Sequence, residues 1–151
     1  LAQVGILVDG VLFAADSFAG PGALGKHPIP YLVDGERTLE ALDRVRQVEA
    51  RWFVPGHGEA IGDRAVLHEV LAGNRAVVER LFHWVAARLR REPAGTEDLL
   101  AELAGQYRVA VSDPVAYVLT RTALLGVLAS LERRGEVYVE VEGGRWLWRV
   151  P

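Results

Sequence analysis

The 151-residue sequence predicts an α+β chain in two parts: a small sheet with one helix over residues 1–62, and a helical domain closed by a β-hairpin over residues 63–151. Three observations carry that reading. Two apolar, strand-like runs each end in a metal-type side chain: Val11 to Ala15 runs into Asp16, and Arg51-Trp52-Phe53-Val54 runs through Pro55-Gly56 into His57-Gly58. From Asp63 the apolar residues adopt the long period of helices. The chain closes with two β-rich runs around Glu142-Gly143-Gly144, a hairpin signal.

Taken in order, Gln3 to Val8 and Val11 to Ala15 are two apolar runs joined by Asp9-Gly10. A two-residue Asp-Gly link suits a type I′ turn, whose central positions both need φ > 0. Both runs are apolar at alternate and intervening positions, which predicts a sheet covered on both faces. Ser17 to Val33 carries Gly20, Pro21, Gly22, Gly25, Pro28 and Pro30, so an irregular loop is expected beside Asp16. His27 lies in that loop, either as a plain loop histidine or as a substrate contact. Thr38 to Val48 reads as an amphipathic helix with Leu39, Leu42, Val45 and Val48 on one stripe. Trp52-Phe53-Val54 is a short buried strand that Pro55-Gly56 ends.

Beyond Asp63 one helix is expected to about Arg91, where Glu92-Pro93-Ala94-Gly95 stops it. His68 and His83 lie within it and read as surface or satisfied helical residues, with no partner at i+4. Thr96 to Ala104 is a short helix with Thr96 as its cap and Gly105 in the following turn. Asp113 caps a further helix with Pro114 in its first turn, and Gly135 ends it. Val137 to Val141 and Arg145 to Val150 form the hairpin, with Trp146 and Trp148 on one face as core residues.

Half of the residues are apolar, enough for a core, and the net charge is −3. Neither sign dominates, so no field points to nucleic acid or a membrane surface. No cysteine is present, which excludes a disulfide framework and a thiolate metal site and fits the reducing cytoplasm. The sequence carries no recognisable signal peptide, and no apolar run is expected to approach the roughly 20 residues that span a bilayer.

Imidazole and carboxylate suit a divalent ion such as zinc, yet Gly-His-Gly can equally be a simple turn. The order hairpin, Asp16, loop, helix, strand and Pro55-Gly56-His57-Gly58 resembles the second half of the metallo-β-lactamase fold, the αββα hydrolase superfamily. Leu24 to Tyr31 resembles a connecting segment of one subgroup of these hydrolases. The resemblance implies that Asp16 bridges two zinc ions, that His57 binds the second ion only, and that the ions activate water for hydrolysis. The family pattern usually has Gly before the Asp, where this chain has Ala15. Its upstream His-x-His-x-Asp-His cluster has no counterpart, because the four histidines are His27, His57, His68 and His83 and none precedes Asp16. The expectation is therefore a C-terminal part of a longer metallo-hydrolase, inactive alone and without tight zinc, whose substrate is a small molecule, an ester or a phosphodiester. An exposed half-fold is also expected to self-associate.

Three helices followed by a two-stranded wing is the order of a winged helix, and the tail resembles the winged-helix-like domain that follows the catalytic domain in some of these hydrolases. The alternative function is accordingly a non-catalytic interaction or DNA-binding module. Residues from Asp63 onward hold 12 Arg against 12 Asp plus Glu, and the wing carries Glu136, Glu140 and Glu142. That balance makes nucleic acid an unexpected partner, since phosphate binding needs a cationic face. A domain that packs on a catalytic half or forms a dimer fits equally.

Overall fold

Asp9 and Gly10 both take positive φ, 49° and 77°, as a type I′ turn requires. That turn joins β1 (Ile6–Val8) to β2 (Val11–Ala15) in an antiparallel pair. A computed structural model describes residues 4–26 and 28–151 of the chain. The elements that follow are α1 (Gly35–Gln47), β3 (Trp52–Pro55), α2 (Arg64–Leu89), α3 (Thr96–Tyr107), α4 (Pro114–Arg133), β4 (Tyr138–Glu142) and β5 (Arg145–Arg149).

Grouped by proximity, the chain forms two units. The first comprises residues 1–28 and 36–77, the second residues 29–35 and 78–151, and the division falls inside the continuous helix α2. Residues 63–77, which sequence periodicity assigns to the helical part, thus group with the sheet.

In the first unit β3 pairs in parallel with β2, giving the strand order β1-β2-β3. Leu12, Ala14 and Phe53 pack with Leu42 and Val45 of α1 and Leu67 and Leu71 of α2. Side chains opposite one another across a ladder share a face. The other face therefore carries Ile6, Val8, Val11, Phe13, Trp52 and Val54. Ile6, Val8, Phe13 and Trp52 are each at least half exposed. The expectation of a sheet covered on both faces is thus corrected: the unit supplies helices to one side only. The first strand starts at Ile6, with Val4 and Gly5 ahead of it, and Gln3, where the run is expected to begin, lies outside the described residues.

In the second unit Ile29–Gly35 packs along α4. A Cβ on Gly126 would sit 2.8 Å from the Val33 backbone. Arg133 donates to Asp34 Oδ1 at 2.8 Å. Leu99, Leu103, Leu124, Leu128 and Leu131 form a dry core, each no more than 1% exposed. Asp113 caps α4 as expected, accepting from the Val115 and Ala116 amides at 2.9 and 3.0 Å. Each apolar side chain so buried stabilises the fold by roughly 1.5–3 kcal/mol.

Four local expectations change. Thr96 does not cap α3: Gly95 occupies the N-cap position, and Thr96 Oγ1 accepts from Trp148 Nε1 at 3.0 Å. The hydroxyl is better used there, because a buried indole N–H needs an acceptor. Gly105 lies within α3, which runs on to Tyr107 and closes at Arg108 with φ 53°. Trp148 is core at 5% exposure, but Trp146 is 58% exposed; the Ala94 bridge pairs the strand at Trp148. Helix α4 is, among the described residues, long and apolar enough to cross a membrane by length and composition, with mean hydropathy 1.5. Much of that apolarity is spent on the unit's own core, through Leu124, Val127, Leu128 and Leu131.

Candidate metal half-site

Asp16 and His57 lie just past the ends of two adjacent parallel strands, β2 and β3. The ladder slips between Phe13 and Ala15, so Ala15 pairs with Pro55. Ala15 takes φ 48°, a left-handed conformation that an L side chain tolerates poorly. This irregularity turns the strand at the residue before Asp16. Ala15 O then accepts the Gly56 amide at 2.7 Å, and Ser17 N–H closes a turn on Ala14 O at 3.1 Å. Asp16 Oδ1 comes to 3.5 Å from His57 Nε2.

The glycines around His57 are required by close approach. A Cβ on Gly56 would strike Asp16 Oδ1. Gly58 has φ 105°, and a Cβ there would lie 2.8 Å from Gly20 Cα. Gly20 in turn donates its amide to His57 O at 2.8 Å. The Gly-His-Gly turn is thus packed into the loop that follows Asp16.

Both side chains are open to solvent, Asp16 at 47% and His57 at 76%. Zinc bonds of about 2.0–2.2 Å in a tetrahedron place two donors roughly 3.3–3.6 Å apart. The observed separation fits two adjacent positions of such a site. It does not fill one: no group of three or more His, Asp, Glu or Cys side chains that could hold a metal occurs among the described residues. His27, the expected substrate contact, lies outside the described residues. His83 is exposed, as expected. His68 differs from expectation: its Nε2 is buried without a hydrogen-bond partner.

Sequence reading missed Asn74. Its Oδ1 accepts from Ala19 N–H at 2.8 Å, and its Nδ2 donates to Ala19 O at 2.8 Å. The only sequence signal was a polar residue within an apolar-periodic helix. Gly20 was recognised as a loop glycine but not as a packing contact of the His57 turn.

No sequence-family model matches the chain, and no curated protein matches it by sequence. Solved structures do. A beta-lactamase domain protein from Burkholderia ambifaria is similar over 95% of this chain, with a TM-score of 0.71 and 18% identity. A metallo-beta-lactamase family protein from Thermus thermophilus is similar over the same share, with a TM-score of 0.64 and 21% identity. The chain spans 42% of the length of each. Likeness at these identities is likeness of fold: the chain carries part of the metallo-β-lactamase fold.

Proposed function

We propose that the chain is the C-terminal part of a metal-dependent hydrolase of the metallo-β-lactamase superfamily, and that Asp16 and His57 are two of its zinc ligands. The observation that carries this reading is the 3.5 Å approach of Asp16 Oδ1 to His57 Nε2 at the ends of neighbouring strands. The 42% coverage of similar structures supports a source for the remaining ligands outside these 151 residues. When bound, zinc would lower the pKa of coordinated water and polarise the scissile group. This chain's own part is to hold a carboxylate and an imidazole at the rim of a sheet and to shape the loop beside them. Two ligands are too few for a closed site, so the 151 residues alone bind zinc weakly and do not hydrolyse. The fold serves many substrates, and a small molecule, an ester or a phosphodiester all remain within its chemistry. A cytoplasmic setting fits the absence of cysteine.

The test uses the native gene product at its natural length. Zinc content and turnover of ester, thioester, lactam and phosphodiester substrates are measured for wild type, Asp16→Ala and His57→Ala. Each variant is expected to lose at least one zinc equivalent and about 100-fold or more in rate, in line with the share of catalysis such groups carry. Full zinc and full rate in both variants would overturn the reading.

One observation favours an interaction role for the second unit. Val115, Val118 and Leu119 form an exposed apolar stripe at i, i+3 and i+4 on α4, the helix a winged-helix reading would place against DNA. An apolar stripe suits a protein surface better than phosphates. Duplex binding with a steep salt dependence would instead favour the DNA-binding alternative.

A further inference from the structure

Helix α2 carries a buried amide where its pattern calls for an apolar side chain. Asn74 is 8% exposed and belongs to the same unit as Leu67, Leu71 and Val77. Asn is a poor helix former, and an amide buried without partners costs several kcal/mol, about 1–3 by mutational measures. Here the amide is partnered on every hydrogen. Oδ1 accepts from Ala19 N–H, while Nδ2 donates to Ala19 O and to Val70 O, each at 2.8 Å. The two bonds to Ala19 grip the amide and carbonyl of one residue, as a neighbouring strand would.

Ala19 stands between the two candidate ligands. It follows Asp16 by three residues, and its neighbour Gly20 donates to His57 O at 2.8 Å. A Cβ on Gly20 would lie 2.6 Å from Pro55 Cγ, so the chain there has no slack against the His57 turn. Fixing Ala19 therefore fixes the far end of the Asp16 turn and the backbone of His57 together. We propose that Asn74 is a positioning residue for the Asp16–His57 half-site, holding both ligand-bearing turns in register from the helix behind them. It is not a ligand and touches neither side chain. The proposal rests on the reading of Asp16 and His57 as metal ligands.

The test compares Asn74→Leu, which keeps the branched side-chain skeleton and removes the bonds, with Leu71→Ala, which removes core contacts one turn away. Two readouts are taken by NMR on the 151-residue chain. The first, without metal, is amide exchange at Gly20 relative to β2. The second is the weak association of Co²⁺ alone, followed at Asp16 and His57. Asn74→Leu is expected to speed Gly20 exchange about tenfold and to weaken Co²⁺ association about 10–100-fold, as loss of a group supporting ligands does. Leu71→Ala is expected to lower the melting temperature and to change both readouts by less than Asn74→Leu does, because it leaves the bonds to Ala19 in place. Asn74→Asp keeps the acceptor for Ala19 N–H and is expected to fall between, and it carries the comparison if Asn74→Leu does not fold. Unchanged Gly20 exchange in the Asn74 variants, or an equal change in Leu71→Ala, overturns the positioning role. Absence of Co²⁺ effects at Asp16 and His57 in wild type overturns the expectation that these 151 residues bind metal weakly on their own, and leaves the exchange comparison to decide Asn74.

Discussion

Of the twelve largest fully buried side chains among the described residues, ten belong to the second unit and two, Phe53 and Leu67, to the first. The units are similar in length, so size does not explain the contrast. The second wraps α3, α4 and the latter part of α2 around one core and closes it with a hairpin. The first places helices against one face of a three-stranded sheet and leaves the other uncovered. A sheet has two faces to bury, and a single layer of helix satisfies one. The same unit carries the candidate ligands, two where a zinc site needs three or four. Among the described residues the first unit thus leaves one sheet face open beside the candidate ligands, whereas the second closes its core with its own elements.

The largest effect that tests this contrast is core truncation. Leu128→Ala removes a side chain that is 0% exposed and should cost about 3–5 kcal/mol, the upper range for such cavities. Leu12→Ala, at 6% exposure beside the open-faced sheet, should cost about 2–3 kcal/mol, because a site near an uncovered layer relaxes more easily. Urea unfolding measures both. A larger loss at Leu12 would break the comparison.

Next comes the open face itself. Phe13 and Trp52 are about half exposed on it, at 51% and 50%. A patch of this kind drives association. We expect the chain to self-associate, and Phe13→Asp to raise the apparent dissociation constant at least about tenfold, or about 1.4 kcal/mol, with little change in melting temperature. Sedimentation equilibrium reads it. Wild type that stays monomeric across a wide concentration range would show that the face is tolerated in water.

Acid should weaken the second unit through two carboxylates. The Arg88 hydrogen bonds hold Glu102 below the usual glutamate range, and hydrogen bonds from Tyr117 and then Arg121 do the same for Glu97. A depressed carboxylate stabilises the fold fully above its unfolded pKa of about 4.5, and the contribution is lost as pH falls through the lower folded value. Both groups are more than 40% exposed, so solvent screening keeps the effect under about 1 kcal/mol. Glu102→Gln should lower stability slightly at pH 7 and flatten the loss as pH falls below 4.5. An unchanged acid slope would remove Glu102 from the account.

How much of this was legible in the sequence depended on range. Asp9-Gly10, Asp113-Pro114 and Gly143-Gly144 act on their nearest neighbours, and each forms the turn or cap its residue types dictate. Asp16 and His57 were legible as candidates because strand ends are local features. What escaped was decided at long range. Asn74 grips a loop 55 residues away. Thr96 Oγ1 accepts from Trp148, 52 residues on, instead of capping its own helix. The exposure of Ile6 and Val8 reflects which face the helices cover, which an apolar strand pattern cannot reveal. Two faces of apolar residues announce that both are meant to be buried, and only the three-dimensional arrangement tells which one is.

The smallest effect is that of Ala15→Gly, where local strain and chain entropy nearly cancel. Its φ of 48° is a conformation that costs an alanine about 1 kcal/mol or more. Glycine removes that strain, but it also frees the unfolded chain, which costs about 0.4–1 kcal/mol. Ala15→Gly should therefore stabilise the first unit by no more than a few tenths of a kcal/mol to about 1 kcal/mol. The Ala15 carbonyl still accepts from Gly56, so the Asp16–His57 separation should not change. A branched side chain reverses the sign: Ala15→Val should cost about 2 kcal/mol and loosen the turn that aims Asp16. Urea unfolding of the three versions orders them Gly, Ala, Val. If valine were tolerated as well as glycine, the left-handed kink at Ala15 would not be what turns β2 into the half-site. The first unit would then hold Asp16 through the Asn74 and Gly20 contacts alone.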